Sequence, residues 1–193
     1  KLIKHTKNTF KCVFKSKSLL WLMTAIMIVF CIQKMNREAY QLWYIALSAP
    51  AIVFGIAGSF IEGLGGLGGS LVKYLSSKRI NIVLSILLGL ASLALSVGSN
   101  LWITIAAQVL IAVVSGALLF HFTAQIQHQL PSRYRTGSGS VINAVGRIVL
   151  IPLTFVFGVL SNQSVFIAGW MLVVLSGLAV FVQLKLDEQA SPQ

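Results

Sequence analysis

Acidic residues are scarce in this chain: four Asp and Glu stand against fifteen Lys and Arg among 193 residues. Charge of either sign is scarce too, at 10%, where water-soluble domains carry roughly 25%. Apolar residues make up 56% and mean hydropathy is +0.86, which excludes a core wrapped in a charged, solvated surface. A net charge of +11 would suit nucleic acid, but the basic residues sit between apolar runs, and that placement indicates a membrane instead. Cysteine is limited to Cys12 and Cys31. Their separation fits neither a metal site nor a redox pair, and both read as ordinary apolar residues. GLGGLGGS lacks the Lys-Ser/Thr ending of a phosphate loop and lies in an apolar run, so no nucleotide or other cofactor is expected. GSGS does not give Gly-x-Ser-Gly, and His128 and Ser140 both fall near the membrane surface, so an intramembrane serine enzyme is not expected. His121, Gln125 and His128 share a helical face without an adjacent acid or third imidazole. That suits packing or hydrogen bonding better than a metal.

What the chain has is apolar length. Six spans are expected, at about 18–44, 50–72, 80–97, 101–126, 137–160 and 165–184, giving an all-α polytopic membrane domain. Lys1 to Lys17 carries six lysines with apolar residues between them and reads as a basic amphipathic segment on an anionic leaflet, or as a tether. The first apolar run, Leu19 to Ile32, has a basic flank like a signal peptide but no small-residue cleavage site. It continues through a stretch in which 33, 36, 37, 40 and 44 share one helical face, and this stretch is either a helix with a polar face or an extramembrane loop. Ser48 and Pro50 read as a capping hydroxyl and a first-turn proline. The third span is apolar on all sides, as suits a lipid-facing helix, HQLPSRYRTGSGS reads as a loop, and 185–193 as a tail.

Twelve Lys and Arg fall on one side of such a topology: those of the first segment, then Lys73, Lys78, Arg79, Arg133, Arg135 and Lys185. The positive-inside rule makes that side, and both termini, cytoplasmic. The lipid bilayer is the expected solvent, and a bacterial plasma membrane the expected location.

Two charges fall deep in spans. Glu62 interrupts the second run, just before Gly63, Gly65, Gly66, Gly68 and Gly69, glycines that let a neighbouring helix approach closely. Arg147 interrupts the fifth, on a face with Ser140 and Asn143, and Pro152 is expected to kink that span. A charge at mid-depth costs roughly 3 kcal/mol or more, so each should face protein or water. Glu62 is either a proton carrier or a fixed partner of Arg147 or of a polar group outside this chain. Arg147 is a latch between helices or a contact for an anionic solute.

The chain resembles the C-terminal six-helix half of a major facilitator superfamily transporter. The resemblance rests on the glycine-rich GLGGLGGSLVKYLSSKR, on QLPSRYRTGSGSVINAVGRIVLIPLTFVFGVLS, and on the basic segment before the first span. It covers essentially the whole sequence. One departure is that Lys73 stands where the family's inter-helix turn has an acid four residues after Gly69, while Lys78 and Arg79 keep the basic part. The resemblance implies a 3+3 inverted repeat and a partner N-terminal half. It also implies secondary transport of a small solute, with or without a proton, by alternating access. It places the first and fourth spans along the cavity, making Gln33, Arg37, Tyr40, Gln108 and Ser115 the candidate solute surface. A six-helix permease working as a homodimer, or with a separate ATPase, is the alternative.

Overall fold

In lipid every backbone amide must find a partner within its own segment, so long apolar runs become helices. The computed structural model describes residues 17–70 and 78–190; the side chains at 78, 79, 133, 134, 136, 138, 189 and 190 are outside that description. The basic first segment therefore lies outside the described residues, apart from Lys17. Six helices follow: α1 (Lys17–Ala46), α2 (Ala51–Leu67), α3 (Lys78–Val97), α4 (Leu101–Gln129), α5 (Ser132–Ser161) and α6 (Val165–Ala190). No strand occurs among the described residues. All six are long and apolar enough to cross a membrane once the short helical turn at 68–70 is joined to α2, and the chain is an integral membrane protein.

The boundaries differ from expectation in physically instructive ways. Helix α1 runs unbroken through 33–41, so that stretch is not a loop. It ends where the Ala49 amide donates to Tyr44 O and the Ser48 amide to Ile45 O, with Ser48 at φ 52. This is the left-handed helix terminus usually given to glycine. Ser48 is thus the stop of α1 and not the cap of α2, which begins after Pro50 without a side-chain cap. Helix α5 starts at Ser132, so the expected loop contracts to Leu130 and Pro131. Pro131 at φ −56 and ψ 144 breaks the chain there, and the Arg135 Nε donates to Leu130 O at 3.2 Å. Helix α6 continues into the expected tail, where Lys185 Nζ and Glu188 Oε2 pair at 2.8 Å.

Helix α1 is central. It packs against α2, α4, α5 and α6, and its Trp43 Nε1 donates to Leu95 O of α3 at 3.0 Å. Helix α3 turns one apolar face outward, with Val83, Ile86 and Leu90 exposed, but it is not apolar on all sides. It packs on α6 and α4 through a buried stripe of Asn81, Ser85, Ser92 and Ser96. Ser92 Oγ meets Ser176 Oγ at 3.2 Å, Gln183 Nε2 donates to Ser85 Oγ at 3.1 Å, and Gly169 fits beside Ser96. Small side chains and hydroxyl pairs replace the hydrophobic drive that lipid does not supply. The peripheral helices are α2 and α5, with only 22% and 11% of their most apolar stretches buried, against 61% for α1 and 56% for α4.

Candidate functional site

The glycines of α2 determine how the site is built. A Cβ on Gly68 would lie 2.6 Å from Val113 O and from Ala117 N, and one on Gly116 would lie 2.6 Å from Gly65 O. Backbone meets backbone here, so α2 and α4 touch without side chains between them. Gly65 and Gly69 lie against Ala112 and the Phe120 ring, whereas Gly63 and Gly66 face open space and pack against nothing. The five glycines of this cluster do not share one role: the helix contact uses Gly65, Gly68 and Gly69, and recruits Gly116 from α4.

Just above this contact lies a cavity of about 410 Å³ between α1, α2, α4 and α5. Small-molecule sites span about 300–1,000 Å³. Gln33 and Arg37 line it from α1, Glu62 and Gly66 from α2, Thr123 from α4 and Asn143 from α5. Ile26, Phe30, Leu119, Phe120 and Ile142 make the remainder apolar. The charged end is an ion pair. Arg37 Nε donates to Glu62 Oε1 at 2.6 Å, and Nη2 donates to Oε2. Arg37 lies nine residues from the end of α1 and Glu62 eleven from the start of α2, which puts them about 14 and 16 Å along their helices from the shared turn. They meet at one depth. The guanidinium uses two parallel N–H groups on one carboxylate, the geometry that gives such pairs their strength and direction. Their side chains remain 39% and 54% exposed, so the pair faces the cavity mouth.

Two expectations merge and one is corrected. The candidate solute contact Arg37 and the candidate proton carrier Glu62 are partners of each other. Glu62 does not pair with Arg147, because equal depth on two helices does not make them neighbours. Arg147 is exposed at the middle of α5 and makes no hydrogen bond or ion pair among the described residues. Asn143, one turn away, reaches the cavity.

The rest of the expected solute surface lies elsewhere. Gln108 and Ser115 are fully buried in the α1–α4 interface. Gln108 accepts from the Tyr44 hydroxyl and donates through Nε2 to Tyr40 O at 3.3 Å, while Asn36 Nδ2 donates to Gln108 O at 3.1 Å. Ser115 Oγ bonds back to Ala112 O at 3.3 Å. Polar groups in a span need partners, and Gln108 finds its partners on α1 and Ser115 on its own helix, neither of them in the cavity. Tyr40 packs its ring end over Gly58 and hands its hydroxyl to Phe54 O at 3.5 Å. Among the loop cations, Lys78, Arg79 and Arg133 have side chains outside the described residues, and Arg135 closes the end of α4. Sequence reasoning missed Thr123 and Asn81; the hydrogen bonding expected of His121 and Gln125 is present at 2.8 Å, and Asn81 joins it from α3 at 3.1 Å. The spacing of Asn81, Ser85, Ser92 and Ser96 along one α3 face was the available signal.

Over the described residues, fold and site together define an all-helical integral membrane protein with a charged, half-open cavity beside its central helix pair. No protein-family model matches the chain, and neither does any curated protein or solved structure.

Proposed function

We propose that the chain is one six-helix half of a secondary transporter that moves a small solute by alternating access, and that the α1–α2–α4–α5 cavity is its half of the solute site. The single observation that carries this reading is the Arg37–Glu62 pair at the cavity mouth. A carboxylate and a guanidinium held at mid-depth are costly in lipid unless they face one another and a polar path. A second feature supports a missing cover. Arg147 stands exposed at mid-helix on α5, and α2 and α5 are the least buried helices. The apolar side chains around Arg147, such as Ile148, Ile151 and Phe155, suit lipid, but its guanidinium calls for protein or water, which a second six-helix half would supply. In this reading the termini are cytoplasmic and the membrane is a bacterial plasma membrane. Glu62 is the group that takes up a proton whenever its partner is drawn away.

The test is solute uptake into energised vesicles by the complete transporter carrying Glu62→Gln. Loss of proton-driven accumulation with facilitated exchange retained is expected; unchanged proton-driven accumulation would remove Glu62 from the coupling step. A homodimeric permease would also cover α2 and α5. Cysteine cross-linking between two copies through Ser59 and Ala144, both exposed, distinguishes it, since only that assembly gives an intermolecular product without another half.

A further inference from the structure

We propose that this cavity takes a small carboxylic acid as its monoanion, with its carboxylate on the Arg37 fork and its hydrocarbon body on the apolar floor. The inference names the solute class of the transport reading above and rests on it for its setting.

Three observations converge. The Arg37 fork already holds a carboxylate in the two-point geometry that planar oxyanions match. Below the fork the wall turns apolar through Ile26, Phe30, Leu119 and Phe120. At about 30 Å³ per water-sized group, the cavity holds roughly a dozen non-hydrogen atoms. Among the described residues, Arg37 and Glu62 are the ionisable residues in the lining, where Gln33, Thr123 and Asn143 are the other polar ones. Net charge in the lining is thus zero. An anion arriving on Arg37 displaces Glu62 and leaves the site at −1, which a low-dielectric cavity resists. Uptake of one proton by the Glu62 carboxylate restores zero. One Arg37–Glu62 ion pair is lost, one Arg37–guest pair forms, and one O–H bond forms on Glu62, its proton given up by a hydronium ion or buffer acid at the open mouth, which leaves as its conjugate base.

The same charge count disfavours a phosphate monoester, whose charge of about −1.5 to −2 leaves an uncompensated negative charge. A zwitterion splits the pair without a proton, but its ammonium brings three donors. That ammonium would face Glu62, with Gln33, Thr123 and Asn143 as the other side-chain acceptors of the lining, so a zwitterion is told apart by binding without proton uptake. A primary ammonium alone is rejected by Arg37.

The experiment measures binding of hexanoate, hexyl phosphate, hexylammonium and leucine to the full-length protein in lipid nanodiscs. Calorimetry is run with a pH indicator in weak buffer. Hexanoate is expected to bind with uptake of about one proton per anion, at least about tenfold more tightly than hexylammonium, which lacks the bidentate contact, and more tightly than hexyl phosphate and leucine, the latter binding without proton uptake. The Glu62→Gln variant should bind hexanoate without proton uptake. Because Arg37→Gln alone leaves Glu62 unpaired and risks misfolding, the double variant Arg37→Gln/Glu62→Gln, which keeps the cavity neutral, is the decisive one. It should lose hexanoate binding while its melting temperature stays close to the parent's. Hexanoate binding unchanged in that double variant, or preferential binding of leucine or hexylammonium, overturns the proposal. Hexanoate binding with proton uptake but no flux in vesicles sustains the ligand class and ends the transport reading. Flux of another solute class without hexanoate binding does the reverse.

Discussion

Adding a single methyl group tests the helix contact under the cavity. In Gly68→Ala the new Cβ would sit 2.6 Å from Val113 O and Ala117 N and 3.0 Å from Gly116 C. All three are backbone atoms in the middle of α4, so no side chain can swing away, and the two helices must separate by several tenths of an ångström. Overpacking of this kind costs about 1–3 kcal/mol. At about 2–4 °C per kcal/mol for a chain of this length, Tm should fall by about 2–12 °C. Gly116→Ala, 2.6 Å from Gly65 O, should fall by a similar amount. Opening the contact once makes room for both methyl groups, so the double variant should cost less than the two singles together. Gly63→Ala and Gly66→Ala are the controls: neither new Cβ meets anything within 4 Å, and each should be neutral or slightly stabilising through helix propensity. Thermal unfolding in detergent, followed by tryptophan fluorescence or by scanning fluorimetry, reads all five variants. A Gly66→Ala variant as unstable as Gly68→Ala would refute the account, because the glycines would then matter for something other than this contact.

Three further outcomes can be measured on the same preparation. Ser48→Gly should raise stability by about 1 kcal/mol, because an L side chain pays roughly 1–2 kcal/mol in the left-handed conformation that Ser48 adopts; Ser48→Val should lower it. Gln108→Leu leaves the fully buried Tyr44 hydroxyl without its acceptor and should cost about 1–3 kcal/mol, of which adding Tyr44→Phe recovers a part. Glu188→Gln removes an exposed pair to Lys185 and should leave Tm within the error of the measurement.

Apolar length carried the architecture. Lipid allows a polypeptide so few conformations that the number of spans followed from counting, and the ends of α3 and α4 fall close to the expected turns. What counting missed was rotation about each helix axis. Gln108 and Ser115 looked like lining because polar residues in a span were assigned to a wet face. Gln108 instead bonds to Asn36, Tyr40 and Tyr44 across the α1–α4 seam, and Ser115 to the Ala112 carbonyl of its own helix. Arg37 and Glu62 were each singled out, yet their partnership needed the knowledge that α1 and α2 turn those faces together. Arg147 matched Glu62 in depth, and depth is the one coordinate a linear sequence reports. The serines of α3 are visible at helical spacing, but hydroxyls dilute an apolar average so little that the helix read as uniformly greasy. Helix ends shifted for a local reason: after Pro131 nothing in SRYR opposes a helix, and the arginines that suggested a loop fit within its first turns.

The connections at one end of the molecule are all tight: Leu47–Pro50, Gly98–Asn100 and Asn162–Ser164. Asn100 Oδ1 accepts from the Trp102 and Ile103 amides, and Ser164 Oγ from Phe166 N. Stitched this way, the sequential pairs α1–α2, α3–α4 and α5–α6 are held as three stiff clasps. If the cavity widens between α2 and α5, the first of those clasps drags the central α1 with it and the third carries α6. A small displacement at the mouth is thereby levered into the heart of the bundle.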